Sequence, residues 1–297
     1  VSLIVIFTGT PIMMRIVERL HYGQYIRQDG PQSHLVKRGT PTMGGVVINL
    51  AILLGWFSSA LYRFLAFGTP FSIPALLVLF AMLSMGALGF IDDFAKVSKK
   101  QNEGLSVRAK FIGQFIFATI YAVLSLMATS PSTGPAAHPG ISFSENLIID
   151  FQSLGKIAAT ILFVIWVNLL MTAWTNAFNL TDGLDGLCAG SSMVAFLGYG
   201  LIAFWQSYHR AGFHLAGIGR LAFHQGGMAY TVADPQDLAI IAVCAVAACF
   251  GFLWYNTNPA QIFMGDTGSL ALGGALAGVV TAVLVALLAQ NRRLKED

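Results

Sequence analysis

Long stretches of this chain carry no charged side chain at all. Residues 43–62, 71–91, 111–130, 157–178, 238–264 and 267–290 are each free of Asp, Glu, Lys and Arg. Each is close to or above the ~20 residues a helix needs to cross a hydrocarbon core. Two weaker segments, residues 1–14 and 187–208, bring the expected number of spans to eight. In lipid the backbone must satisfy its own hydrogen bonds, which leaves only helices and closed barrels. Barrel strands alternate apolar and polar residues over about ten positions, and these runs do not. The expected fold is therefore all-α, a polytopic transmembrane helix bundle. Composition agrees: 10% of the 297 residues are charged, where soluble domains carry about a quarter. No repeat of the solenoid kind interrupts the chain, so residues 1–297 are expected to form a single integral-membrane domain. Cys188, Cys244 and Cys249 fall within spans and lack ligand spacing, which predicts packing rather than zinc or disulfides.

The basic residues set an orientation. Arg15, Arg19, Arg27, Lys37 and Arg38 lie in the first connection, and Lys96, Lys99, Lys100, Arg108 and Lys110 in the third. The opposite connections hold Arg63, Lys156, Arg210 and Arg220. The positive-inside rule places the first and third connections in the cytoplasm. Strict alternation puts residues 175–187 and 255–266 on the same face, and linkers 129–155 and 206–236 outside. His138, His209, His214 and His224 are thereby removed from the basic face, and His21 has no second ligand nearby; His34, closer to the glycine-rich part of the first loop, is the one histidine kept as a minor metal candidate. The lipid bilayer is the expected surroundings, and no nucleic-acid partner is expected.

Five aspartates then stand out, because each sits where a span begins or ends on that one face. Asp92 and Asp93 end a span at the negative pole of its helix, which disfavours acids by some tenths of a kcal/mol. A solvated helix end, partly neutralised by Lys96, Lys99 and Lys100, is the plain alternative. In Asn179-Leu180-Thr181-Asp182-Gly183-Leu184-Asp185-Gly186 the acids flank glycines, though Thr181 or Asp182 would also serve as a cap for the next helix. Asp266 likewise opens a span, preceded by Asn256 and by Phe263, an apolar ring able to stack on a flat base. Capping does not explain three acidic turns on one face. Like charges ~4 Å apart repel by about 4 kcal/mol at an effective dielectric near 20, so such a cluster calls for a cation. Mg2+ takes carboxylate and amide oxygens while keeping waters and substrate phosphates. The first loop, from His34 and Lys37 through Gly39, Thr42, Gly44 and Gly45, has the basic and glycine-rich character of an anion site, although juxtamembrane basic residues commonly meet lipid head groups.

Four stretches now align with a known family. The segment Asp29-Gly30-Pro31-Gln32-Ser33-His34 through Gly45, the Gly89-Phe90-Ile91-Asp92-Asp93 turn, residues 176–187 and residues 252–274 resemble, in order, the phospho-N-acetylmuramoyl-pentapeptide transferases of peptidoglycan synthesis. The resemblance implies transfer of phospho-N-acetylmuramoyl-pentapeptide from UDP-MurNAc-pentapeptide to undecaprenyl phosphate, with release of UMP and use of Mg2+. It implies Asp266 and Asn179 as metal ligands and Asp92 and Asp93 as the acids nearest the lipid phosphate, with Asp92, Asp93 and Asp266 catalytic. Lys37, Thr42, Lys96, Lys110, Asn179, Asp182, Gly183, Leu184, Asp185, Asn256 and Phe263 fall in its substrate-binding region. It further implies the inner membrane of a bacterium, a cytoplasmic site, a homodimer and ten spans, two more than are read here, so the chain is expected to be incomplete at its C-terminus. Direct attack by the lipid phosphate and a covalent aspartyl intermediate both remain open. The competing functions are a related polyprenyl-phosphate N-acetylhexosamine-1-phosphate transferase, a transporter and a catalytically inactive membrane scaffold.

Overall fold

A computed structural model describes residues 1–20, 39–99, 104–130, 134–135, 140–141, 149–150, 155–211 and 234–285. Among them are eight helices: α1 (Ser2–Arg19), α2 (Gly45–Phe67), α3 (Ile73–Lys99), α4 (Val107–Met127), α5 (Lys156–Thr181), α6 (Leu187–Ala211), α7 (Pro235–Asn256) and α8 (Asp266–Val285). One helix lies on each of the eight apolar runs, and six of them, α2 to α7, are long and apolar enough to cross a membrane. Two antiparallel ladders of two residues per strand, Thr129–Ser130 with Gly134–Pro135 and Gly140–Ile141 with Ile149–Asp150, lie in the linker between α4 and α5.

Helix α8 is the axle of the bundle. Its residues 270–280 are all buried, whereas α4 and α5 turn Phe115, Ile116, Ile161, Ile165 and Leu169 outward, as lipid-facing helices do. Between helices in lipid there is little hydrophobic driving force, so close backbone approach through small residues holds them together. The glycines of α8 provide this: a Cβ at Gly274 would lie 2.8 Å from the Ala81 carbonyl of α3, and one at Gly273 2.5 Å from the Thr175 Cα of α5. Tyr121 of α4 donates its hydroxyl to the Gly278 carbonyl at 3.1 Å. At the far end of the bundle Asp237, at the start of α7, accepts from the Trp56 indole at 2.9 Å and pairs with Arg63.

Three helix ends differ from the sequence expectation. Helix α5 continues through Asn176 and Asn179 to Thr181, because these polar residues point into the bundle and the first glycine arrives only at Gly183. The span expected over residues 238–264 ends at Asn256, and residues 257–265 form a turn-rich loop around Pro259, which has no N–H to continue a helix. Helix α3 runs on past Asp93 to Lys99, so Asp92, Asp93 and Lys96 share one helical end.

Candidate active site at the converging helix ends

The ends of α3 and α5 and the starts of α2, α4 and α8 meet on one face. Asp92 and Asp93 of α3 and Asp266 of α8 place carboxylate oxygens within 4.8 Å of one another. Asp92 and Asp93 are almost wholly buried, at 1% and 4% exposure. Two lysines neutralise them in part. Lys96 Nζ lies 2.6 Å from Asp92 Oδ2 and 2.9 Å from Asp266 Oδ2. Lys110 Nζ, from the first turn of α4, lies 2.6 Å from Asp266 Oδ2 and 3.3 Å from Asp92 Oδ2. Three carboxylates thus face two ammonium groups.

The three acids are held differently. Asp93 caps α8 from across the interface: Oδ1 accepts from the Asp266 amide at 3.1 Å, and Oδ2 from the Thr267 amide at 2.8 Å and the Thr267 hydroxyl at 2.7 Å. The first amides of a helix have no internal partner, and a carboxylate there also meets the positive pole of the dipole. Capping of α8, the plain alternative reading of Asp266, is therefore performed by Asp93. Gly265, with φ 75°, leaves the room: a Cβ there would lie 2.6 Å from Asp93 Oδ2 and 3.1 Å from the Thr42 hydroxyl. Asp92 Oδ1 accepts from the Leu105 amide at 2.7 Å, and its buried Oδ2 is paired with Lys96 and Lys110. Asp266 Oδ1 accepts from Asn179 Nδ2 at 2.7 Å, and that amide also reaches the Ser269 hydroxyl at 3.2 Å.

The remaining expected residues form a rim. The loop carrying Thr42 is tied to the loop carrying Phe263 by three backbone hydrogen bonds: Phe263 to the Pro41 carbonyl at 2.8 Å, Gly44 to the Phe263 carbonyl at 2.9 Å and Gly45 to the Met264 carbonyl at 2.9 Å. Phe263 itself is half-buried. Asp182 follows the last residue of α5 instead of capping α6, and Thr181 lies within α5. Burial, reinforced by the carboxylates of Asp266 and Asp93, pushes the Asp182 carboxyl well above its ordinary range, against a weaker pull from the Gly265 amide and Lys96. Gly183 and Leu184 are exposed beside it. Asp185 Oδ2 accepts from the Ala260 amide at 3.3 Å. Asn256 is buried and spends both ends of its amide on bracing, accepting from Gly186 N at 3.0 Å and donating to the Ile262 carbonyl at 2.9 Å. Lys37 and His34 lie outside the described residues, as do the side chains of all six histidines.

A hard cation fits this donor set. The cluster offers only oxygen atoms and amides and holds one negative charge more than its lysines balance, and Mg2+ uses few protein ligands, nearly all oxygen. The Asn179 nitrogen, rather than its oxygen, faces Asp266, as suits a carboxylate balanced by lysines. Sequence reasoning passed over Thr267, Ser269, Leu105 and Gln114. The run Gly265-Asp266-Thr267-Gly268-Ser269 signals the first two, and nothing in the sequence singles out an amide such as that of Leu105.

The profile of glycosyl transferase family 4 matches residues 75–284, and a phospho-N-acetylmuramoyl-pentapeptide-transferase signature matches residues 37–48. The phospho-N-acetylmuramoyl-pentapeptide-transferase of Bifidobacterium longum (strain DJO10A) is 68% identical over 290 residues, 97% of this chain and 76% of the relative. That of Bifidobacterium adolescentis is 64% identical over 97% of this chain and 76% of the relative. That of Beutenbergia cavernae is 45% identical over 94% and 74%. With the helix bundle, the acidic centre and these relatives in agreement, the chain belongs to the phospho-N-acetylmuramoyl-pentapeptide-transferase family, multi-pass membrane proteins that act as phosphoglycosyl transferases.

Proposed function

We propose that this protein, as one membrane domain, transfers phospho-N-acetylmuramoyl-pentapeptide from a UDP-linked donor to undecaprenyl phosphate at the cytoplasmic face of the bacterial inner membrane, releasing UMP. The observation that carries the reading is the packing of three carboxylates within 4.8 Å, beside two lysines, where membrane helices end. A lipid phosphate confined to the bilayer surface and a soluble anionic nucleotide meet only at such a place. Asp266 and Asn179 would hold Mg2+, which when bound neutralises diphosphate oxygens and the charge gathering on departing UMP.

The chain's own residues do the rest. Asp93, committed to the start of α8, fixes Asp266 and stands as catalytic through it. Both its oxygens are engaged, which argues against Asp93 as a nucleophile and favours direct attack. A phosphate monoester is already largely anionic at neutral pH, so Asp92 has at most one proton to accept. A lipid phosphate oxygen bonds to the sugar-bearing phosphorus, and the anhydride bond to UMP breaks. Lys96 and Lys110 draw phosphate groups in. Thr42, Asp182, Gly183, Leu184 and Asp185 form the nucleotide-sugar side, braced by Asn256, with Phe263 against the uracil, and Lys37 is assigned to the same substrate by the resemblance alone. Positioning both substrates in line supplies several kcal/mol of the barrier. The test is UMP release by the protein in nanodiscs with UDP-MurNAc-pentapeptide, undecaprenyl phosphate and Mg2+. Release that needs all three supports the reading; release without the lipid phosphate, or none with every component present, overturns it.

A further inference from the structure

Beneath Asp266 lies a polar contact that the proposed chemistry does not use. Gln114 of α4 is fully buried, and its Oε1 accepts from Asn176 Nδ2 of α5 at 3.0 Å. The Gln114 Nε2 is buried and finds no acceptor among the described residues. Such an orphan donor is costly to bury, and a leucine would pack there without that cost. Stability alone does not ask for a glutamine at this point.

The neighbours of the pair give it a use. Gln114 lies one turn beyond Lys110 on α4, and Asn176 one turn before Asn179 on α5, so each shares a helix face with its neighbour. Lys110 grips Asp266 Oδ2 at 2.6 Å and Asn179 grips Oδ1 at 2.7 Å. The two oxygens of one carboxylate are thus held from two helices that are cross-linked one turn deeper. Simple adhesion of α4 to α5 has another polar tie, Asn168 Nδ2 to Thr119 Oγ1 at 3.1 Å. We propose that Gln114 and Asn176 are a positioning pair, whose hydrogen bond sets the register of Lys110 and Asn179 about Asp266 for the transfer reaction. The inference rests on the transferase reading above.

The test uses the full-length protein with Gln114→Leu, Asn176→Leu, the double variant, and the exchange Gln114→Asn with Asn176→Gln, which keeps the combined reach. Each single change is expected to lower kcat by about 10- to 100-fold with the donor KM little altered. The double variant should be no worse than the poorer single, as coupled residues behave, and the exchange should recover most of the loss. Mn2+ affinity, read by electron paramagnetic resonance without substrates, should fall alongside kcat. Folded single variants with native kcat and Mn2+ affinity, losses that add in the double, or a folded exchange variant that stays impaired would each overturn the pair's role. An inactive wild type would refute the transferase reading, while the Mn2+ series would still decide this one.

Discussion

Single atoms decide how the acidic centre works. Asp93 is both a member of the cluster and the N-terminal cap of α8. Asp93→Asn would turn an amide N–H toward the helix amides, so two donors would face each other. We expect a loss of about 1 kcal/mol in stability, as for other lost caps, read by thermal melting, together with abolished turnover and retained nucleotide binding. Native turnover in that variant would remove the role assigned to Asp93. Asp182 is predicted to behave in the opposite way. Its carboxyl is raised by burial and by Asp266 and Asp93, so the fold binds its proton more tightly than the unfolded chain does. Stability is then greatest below the ordinary aspartate range, about 4, and declines as pH rises from there through the raised value. Asp182→Asn should melt a few degrees higher at neutral pH, with the difference vanishing in acid, and should lose activity.

At the scale of the helix, backbone distance governs. Gly89 of α3 lies where α8 begins, and a Cβ on it would come 2.1 Å from the Asp266 carbonyl oxygen. Backbone cannot yield cheaply, so Gly89→Ala should push α3 from α8 at the active site, lowering both melting temperature and turnover by large factors. Gly190 in α6 has nothing within 4 Å of a Cβ. Gly190→Ala should be neutral or stabilising by up to ~1 kcal/mol, from helix propensity alone. The same scale explains what was readable beforehand. Charge-free runs located all eight helices, because lipid tolerates little else. The end of α5 was misjudged because Asn176 and Asn179 look like loop residues until their partners, Gln114 and Asp266, are known; that of α7 was misjudged because the charge-free run continues to Met264, through the loop around Pro259 that ends the helix at Asn256. Asn256, which the resemblance places in the substrate-binding region, ties two loops together through its amide, a bracing role that its partners alone reveal.

Across the whole molecule the two ends of the bundle divide their labour. One end gathers acids and lysines, the centre proposed for the chemistry; the other is locked by Arg63, Asp237 and Trp56. Arg63→Leu leaves Asp237 buried without its partner, a change that costs about 3–5 kcal/mol. Denaturation of that variant should show the loss, while turnover per folded molecule stays native, since the lock is remote from the acidic centre. The convergence of Asp92, Asp93 and Asp266 was expected from span alternation, and the structure gathers them. The pairing of each acid with a particular lysine or amide was not legible, because it depends on helix rotation and on loops whose lengths carry no such information. The central claim is that Asp266, with Asn179, holds a divalent cation beside Asp92 and Asp93. Anomalous diffraction from crystals of the protein grown with Mn2+ tests it most directly: the account predicts one peak against the Asp266 carboxylate, absent in Asp266→Asn, and a peak elsewhere, or none in crystals that still release UMP, would contradict it.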